Sequence, residues 1–196
     1  MSQATVAGEV RVVRQPAVRG AGGATGELTR AALLICKTDD ADGLSYVSRE
    51  LLEVVGGTAS IWTGRERRDL CHDAMPLAID ALMAQRLACH QEFLGVGVLK
   101  GATGAPVWCL LQASPVIDRV GQVLRGAHLV HRWVDPSVQQ RFEALYYAAR
   151  ERERACPTYA TAERAGRETL EDHWSKRGLT YEAWCATMLH VDGSVR

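Results

Sequence analysis

The chain has 196 residues, 47% hydrophobic and 23% charged, with 23 basic side chains set against 23 acidic ones. Such a composition excludes a disordered chain. A formal charge of zero excludes a whole-molecule field that would draw the protein to nucleic acid or an anionic membrane, so any such binding has to be local. The basic residues are lopsided: Lys37, Lys100 and Lys176 are lysines and the rest are arginines.

In chain order, Glu9 to Arg14 alternates as a short strand would, and the Gly- and Ala-rich stretch after it, with Pro16, reads as a connector. Residues 1–26 are therefore expected to be a locally basic arm, and residues 27–196 a single globular domain. LTRAALLICK is ambiguous between helix and buried strand, because a short apolar run does not fix a period. Ser45 or Ser48 can cap a helix through Val47, Leu51, Leu52 and Val55 that ends at Gly56-Gly57. Thr58 to Thr63 has the look of a short strand, and Pro76 suits the first position of a helix running to about Phe93. Gly95 to Gln112 is the best hairpin candidate, two β-prone runs joined by GATG.

Beyond the hairpin the chain reads as helical. Ser114-Pro115 opens one helix to Gly126, and Asp135-Pro136 repeats the same capping pattern. Val138, Phe142, Leu145, Tyr146 and Ala149 then follow at helical offsets, the strongest amphipathic pattern in the chain. Helices over Thr161 to Arg177 and Thr180 to His190 complete the reading. The fold class expected is a helix-rich α+β domain with a small antiparallel element near residues 95–112 and an all-helical C-terminal half.

Two Cys-His pairs, Cys71-His72 and Cys89-His90, lie eighteen residues apart, five whole helical turns. Thiolate and imidazole are zinc ligands, yet five turns span about 27 Å, so one metal could join the pairs only through a broken helix or a second chain. His128 and His131 would share a face if their segment were helical. TDDADG at Thr38 to Gly43 opens like a calcium loop, but Arg49 stands where the twelfth-position glutamate belongs. The glycines of GVGVLKGATG fit neither GxGxxG nor GxxxxGK[ST], and no GxSxG or HExxH occurs. Six cysteines without a C-x-x-C pair do not make a disulfide framework in a chain of this size.

Two arginine-rich runs remain, with Arg65, Arg67 and Arg68 in the first and Arg150, Arg152 and Arg154 in the second. Arg141 and Tyr147 lie on the same amphipathic helix as the second run. These eight residues form the expected partner-binding surface, with nucleic acid and protein equally open as partner. No cofactor is expected, and zinc at the Cys-His pairs is the exception considered. The start lacks the charged region and apolar run of a signal peptide, and no apolar stretch approaches the roughly eighteen residues of a membrane span, so the expectation is a cytoplasmic protein with no membrane partner. The leading expectation is a non-enzymatic accessory or regulatory subunit that binds a macromolecule through its Arg-rich helix. The alternatives are a metal- or thiol-dependent enzyme at the Cys-His pairs and a small-molecule sensor with a pocket between the hairpin and the helices.

Overall fold

The computed structural model describes residues 31–121 and 124–190, so the expected N-terminal arm lies outside the described residues. Five strands form one antiparallel sheet: β1 Leu33–Thr38, β2 Leu44–Val47, β3 Phe93–Lys100, β4 Pro106–Ile117 and β5 Leu124–Trp133. They are ordered β2-β1-β5-β4-β3. The ambiguous LLICKT run is a strand because its burial has a period of two: Leu34, Cys36 and Thr38 are buried, while Leu33 and Lys37 are exposed. Between β2 and β3 come α1 Arg49–Val55, the single-turn α2 Ala59–Trp62, a 3-10 turn Arg67–Leu70 and α3 Leu77–Ala88. After β5 follow α4 Pro136–Arg154, α5 Tyr159–Glu171, a second 3-10 turn Ser175–Arg177 and α6 Tyr181–His190.

The α+β class holds, but a small hairpin understates the sheet. The helix expected over 114–126 is instead the end of β4, a turn and the start of β5, and the C-terminal half is helical only after Trp133. Ser114-Pro115 has the local form of a helix cap, yet Cys109, Leu111 and Ala113 are already buried alternately along β4, and pairing with β5 carries the strand on through Ser114↔His128 and Pro115↔Ala127. Proline is tolerated there because β3 has ended at Phe93↔Ala113, which leaves β4 with one free side. Thr58 to Thr63 is helical rather than extended: the Trp62 indole donates to the carbonyl of Gly56 at 2.7 Å and folds the segment back on itself. The helix after Pro76 stops at Cys89, short of Phe93, and the one expected to reach Arg177 stops at Glu171.

Where caps are local, the helices start where their residues imply. Ser48 accepts the Leu51 amide, Asp135 accepts the Ser137 amide, and Thr158 and Thr161 form a reciprocal capping box. β3 is an edge strand, and an open edge invites pairing with another chain. Here it is sealed. The Tyr146 hydroxyl of α4 donates to the carbonyl of Val96 at 2.6 Å, and the Val96 amide donates to the Tyr181 hydroxyl of α6 at 3.1 Å. Since the one proton on Tyr146 is then spent, Tyr181 donates to Tyr146 across their 2.7 Å contact. Further along the same edge, the His72 amide donates to the carbonyl of Val98 at 2.9 Å.

One buried carboxylate of α4 ties the C-terminal helices to the start of α3. Glu153, 2% exposed, accepts the amides of Leu77 and Ala78 at 3.0 Å each, two of the donors that a helix N-terminus leaves without intrahelical partners. Arg150 donates to the same carboxylate at 2.6 Å and to the carbonyl of Asp73 at 2.7 Å. Gly166 of α5 leaves room for it, since a Cβ there would overlap the Glu153 carboxylate. Glu153→Ala strips two buried amides and one arginine of their acceptor, and we expect a loss of about 3 kcal/mol in urea unfolding. Gly166→Ala costs about 1–3 kcal/mol alone and markedly less in the Glu153→Ala background, because the group it strikes is gone. Equal costs in both backgrounds would refute the contact.

Candidate functional site

Between the inner face of β3–β5 and the segment from Arg67 to Met75 lies a hollow of about 20 Å³, with Leu111, Leu129 and His131 on the sheet side. Such a volume admits about one water molecule. Arg67 belongs to the 3-10 turn and is only 5% exposed. Its guanidinium reaches Asp80 of α3 at 2.6 Å and Asp42 of the β1–β2 loop at 2.9 and 3.0 Å. Arg68 adds two bonds to the other oxygen of Asp80, at 2.7 and 3.0 Å, and lies over the Tyr159 ring, 5.0 Å from its centroid. Burial works against charge on both partners. The two arginines nevertheless hold the Asp80 carboxyl below its ordinary range, and Asp80 and Asp42 keep Arg67 firmly protonated.

His131 faces Arg67 across the hollow. Burial lowers its pKa from 6.5 to about 4, against the opposing pull of the Leu34 carbonyl. It is therefore neutral at pH 7, and because a carbonyl only accepts, the 3.3 Å contact makes Nδ1 the protonated nitrogen. Three thiols stand nearby on separate elements. Burial pushes Cys36 up to about 12 and Cys71 to about 11, and raises Cys109 further. All three are thiols, not thiolates, at neutral pH.

The two Cys-His pairs do not meet. Cys71 bridges Leu99 beside the hollow, whereas Cys89 and His90 are exposed past the end of α3. The twelve residues of α3, about 18 Å of helix, separate the two sites. The ring Nδ1 of His72 is occupied in accepting the Ala74 amide. His128 and His131 are on a strand, not a helix, so the odd spacing sends them to opposite faces, one exposed and one buried. Among the described residues no group of three or more His, Cys, Asp or Glu side chains is arranged to hold a metal ion.

The arginines divide. Arg67 is turned inward and is not offered to a partner, Arg68 is half committed to Asp80, and Arg150 is spent on Glu153 and Asp73. Arg65 covers the Trp62 ring at 5.4 Å, Arg141 reaches the sulfur of Met188, and Arg154 pairs with Glu151. Arg141, Arg152, Arg154 and Tyr147 are exposed on α4. This distribution gives nucleic-acid binding no support. The sequence points to Asp42 only as part of a calcium-like loop and to His131 only through its spacing to His128, and it does not point to Asp80 or bring the three together. The signal for Asp80 is an acidic residue among the apolar positions of α3, and that for His131 is its place on the inward register of β5.

No protein-family model matches the chain, and no curated protein matches it. Solved structures do. A light-oxygen-voltage domain, from work in which a flavin analogue sheds light on the mechanism of that domain, superposes with a TM-score of 0.51 at 19% identity, covering 57% of this chain and 84% of that one. The LOV domain of a blue-light activated histidine kinase from Erythrobacter litoralis EL346 gives 0.46 at 21% identity, over 52% of this chain and 95% of that one. The light state of the blue-light photoreceptor Aureochrome1 LOV gives 0.49 at 18%, over 60% of this chain and 91% of that one. The first of these establishes a likeness of fold.

The expectation of no cofactor is corrected to this extent: the light-oxygen-voltage domain that shares the fold is one described with a flavin analogue. The zinc alternative finds no ligand cluster among the described residues. A flavin ring does not fit the hollow with the side chains where they stand. Ligand clefts run to about 300–1,000 Å³, against about 20 Å³ here, with Arg67 pinned at its wall by Asp80 and Asp42.

The unfolded chain takes up a proton at His131 near pH 6.5, before the folded one does at about 4. Stability is therefore present above pH 6.5 and falls as the pH drops toward 4, by about 3 kcal/mol at this residue. His131→Gln should flatten that part of the urea-midpoint profile, and an unchanged profile would count against it. In timed alkylation of the folded protein, Cys89 should react first and Cys71 slowly. Cys36, Cys109 and Cys185 should react only after unfolding.

Proposed function

We propose that this chain is a sensor domain: it takes a small organic ligand between the β3–β4 hairpin and the segment from Arg67 to Met75, and passes the event to a partner protein. The observation that carries the reading is the position of Arg67. It lines the hollow on the inner face of the sheet and is ion-paired to α3, within a fold like that of a light-oxygen-voltage domain. A ligand entering there has to displace Arg67, which loosens Asp80 and hence α3. The N-terminal amides of α3 are held by Glu153 of α4, so the shift reaches the C-terminal helices through two polar contacts. Tyr147, 65% exposed on α4, together with Arg152 and Arg154, is the proposed partner contact. This reading accounts for an internal ion network that a surface-binding accessory subunit has no need of.

The test is native mass spectrometry of the purified protein, followed by riboflavin titration of the native chain and of Arg67→Ala. A retained organic ligand, or riboflavin binding at least about tenfold tighter to the variant, a gain of about 1.4 kcal/mol, is the expected outcome. No retained mass together with no riboflavin binding to either protein would overturn the proposal.

A further inference from the structure

A second cavity, of about 140 Å³, opens among α3, α5 and α6, away from the sheet-face hollow. Its walls are apolar, with Ile79 from α3, Leu170 from α5, and Trp174 and Tyr181 from the segments that follow; each of these four is at most 7% exposed. The volume is close to the roughly 150 Å³ that admits a benzene ring. The mouth is charged, and its charges are unequally engaged. Arg86 is used up, with Nε and Nη2 on the two oxygens of Glu182 at 2.8 and 3.0 Å and Nη1 on Gln91 at 2.6 Å. Arg167 places both Nε and Nη2 on one oxygen of Glu163, at 2.7 and 2.6 Å, and its Nη1 meets only Gln85 at a long 3.4 Å. One helical turn further along the same face of α5, Glu171 brings an exposed carboxylate to the mouth.

An apolar chamber the size of a phenyl or isobutyl group, with a guanidinium and a carboxylate side by side at its entrance, matches a molecule with both charges at one end and a hydrocarbon at the other. We infer that this cavity binds a free apolar α-amino acid: the side chain enters between Ile79 and Trp174, the ligand carboxylate bonds to Arg167, and the ligand ammonium pairs with Glu171. Burial of the apolar side chain supplies most of the affinity, and the paired charges supply the selectivity. This site is separate from the sheet-face hollow and does not rest on the sensor reading.

The experiment is isothermal titration of the full chain with L-phenylalanine and L-leucine, and with phenylacetate and phenethylamine, which each lack one of the two charges. Saturable 1:1 binding of an amino acid is expected, weakened at least about tenfold, or about 1.4 kcal/mol, in either one-charge analogue. Arg167→Gln should weaken the amino acid about tenfold while leaving phenethylamine unchanged, and Glu171→Gln should weaken the amino acid about tenfold while leaving phenylacetate unchanged. Both substitutions are at the cavity mouth and leave its walls intact. Absence of binding up to about 10 mM, an affinity of under 3 kcal/mol, or binding indifferent to both variants, would overturn the inference.

Discussion

The helical side of the sheet is organised around a buried arginine held between two carboxylates. Arg67 comes from a short turn that on its own would have little to fix it. Asp80 lies on α3 and Asp42 in the loop between β1 and β2, so one guanidinium joins three pieces of chain that are not neighbours in sequence. The energetic value of such a network is asymmetric. Taking the ions out of water consumes most of the Coulombic gain, whereas removing one partner leaves a buried charge and costs about 3–5 kcal/mol. The network therefore fixes geometry more than it adds stability. It sets where α3 lies, and α3 in turn meets Glu153 at its N-terminus and lines the cavity beside α5 and α6.

The C-terminal helices are held by a different chemistry. Phe93, Tyr181, Trp174, Trp184, Phe142, Tyr146 and Trp108 form a continuous chain of ring contacts with centroids 5.0 to 6.3 Å apart, running from one strand of the hairpin through α6 and α4 to the other. Their burial supplies the adhesion, and edge-to-face geometry adds a little to it. Within this aromatic cluster, polar specificity toward the sheet comes from two hydroxyls, which recognise the backbone of β3 at Val96. An apolar interface with two polar pins holds the helices in one register on the sheet without adding charge to its centre.

How much of this was legible depended on the range over which each signal acts. Helix starts at Ser48, Asp135 and Thr180 could be read because a cap is a contract between residues two or three apart. The hairpin around GATG was legible for the same reason. The Ser114-Pro115 segment deceived because its local form is a cap, while the interaction that decides it is a ladder with β5 ten or more residues away. The site was less legible still. Asp80 lies thirteen residues from Arg67, and nothing in the run RERR says which arginine turns inward. His131 was noticed for a helical spacing to His128 that a strand abolishes, since its burial follows from the period of two along β5. Tertiary pairing overrode local pattern wherever the two competed.

The sealing of β3 bears on how the domain can be shortened or fused. Val96 owes its amide partner to Tyr181, the first residue of α6, so the final helix acts as a stopper for the sheet as well as a wall of the aromatic cluster. A chain cut before that residue would keep every strand and yet open β3 at the Val96 amide, beside the contacts that Tyr146 and His72 still make, and a partly opened border of this kind is where proteins join into fibrils or exchange segments. The other border, β2, is only four residues long and has far less to offer a neighbour. Resistance to self-association thus depends in part on a segment that contributes no strand.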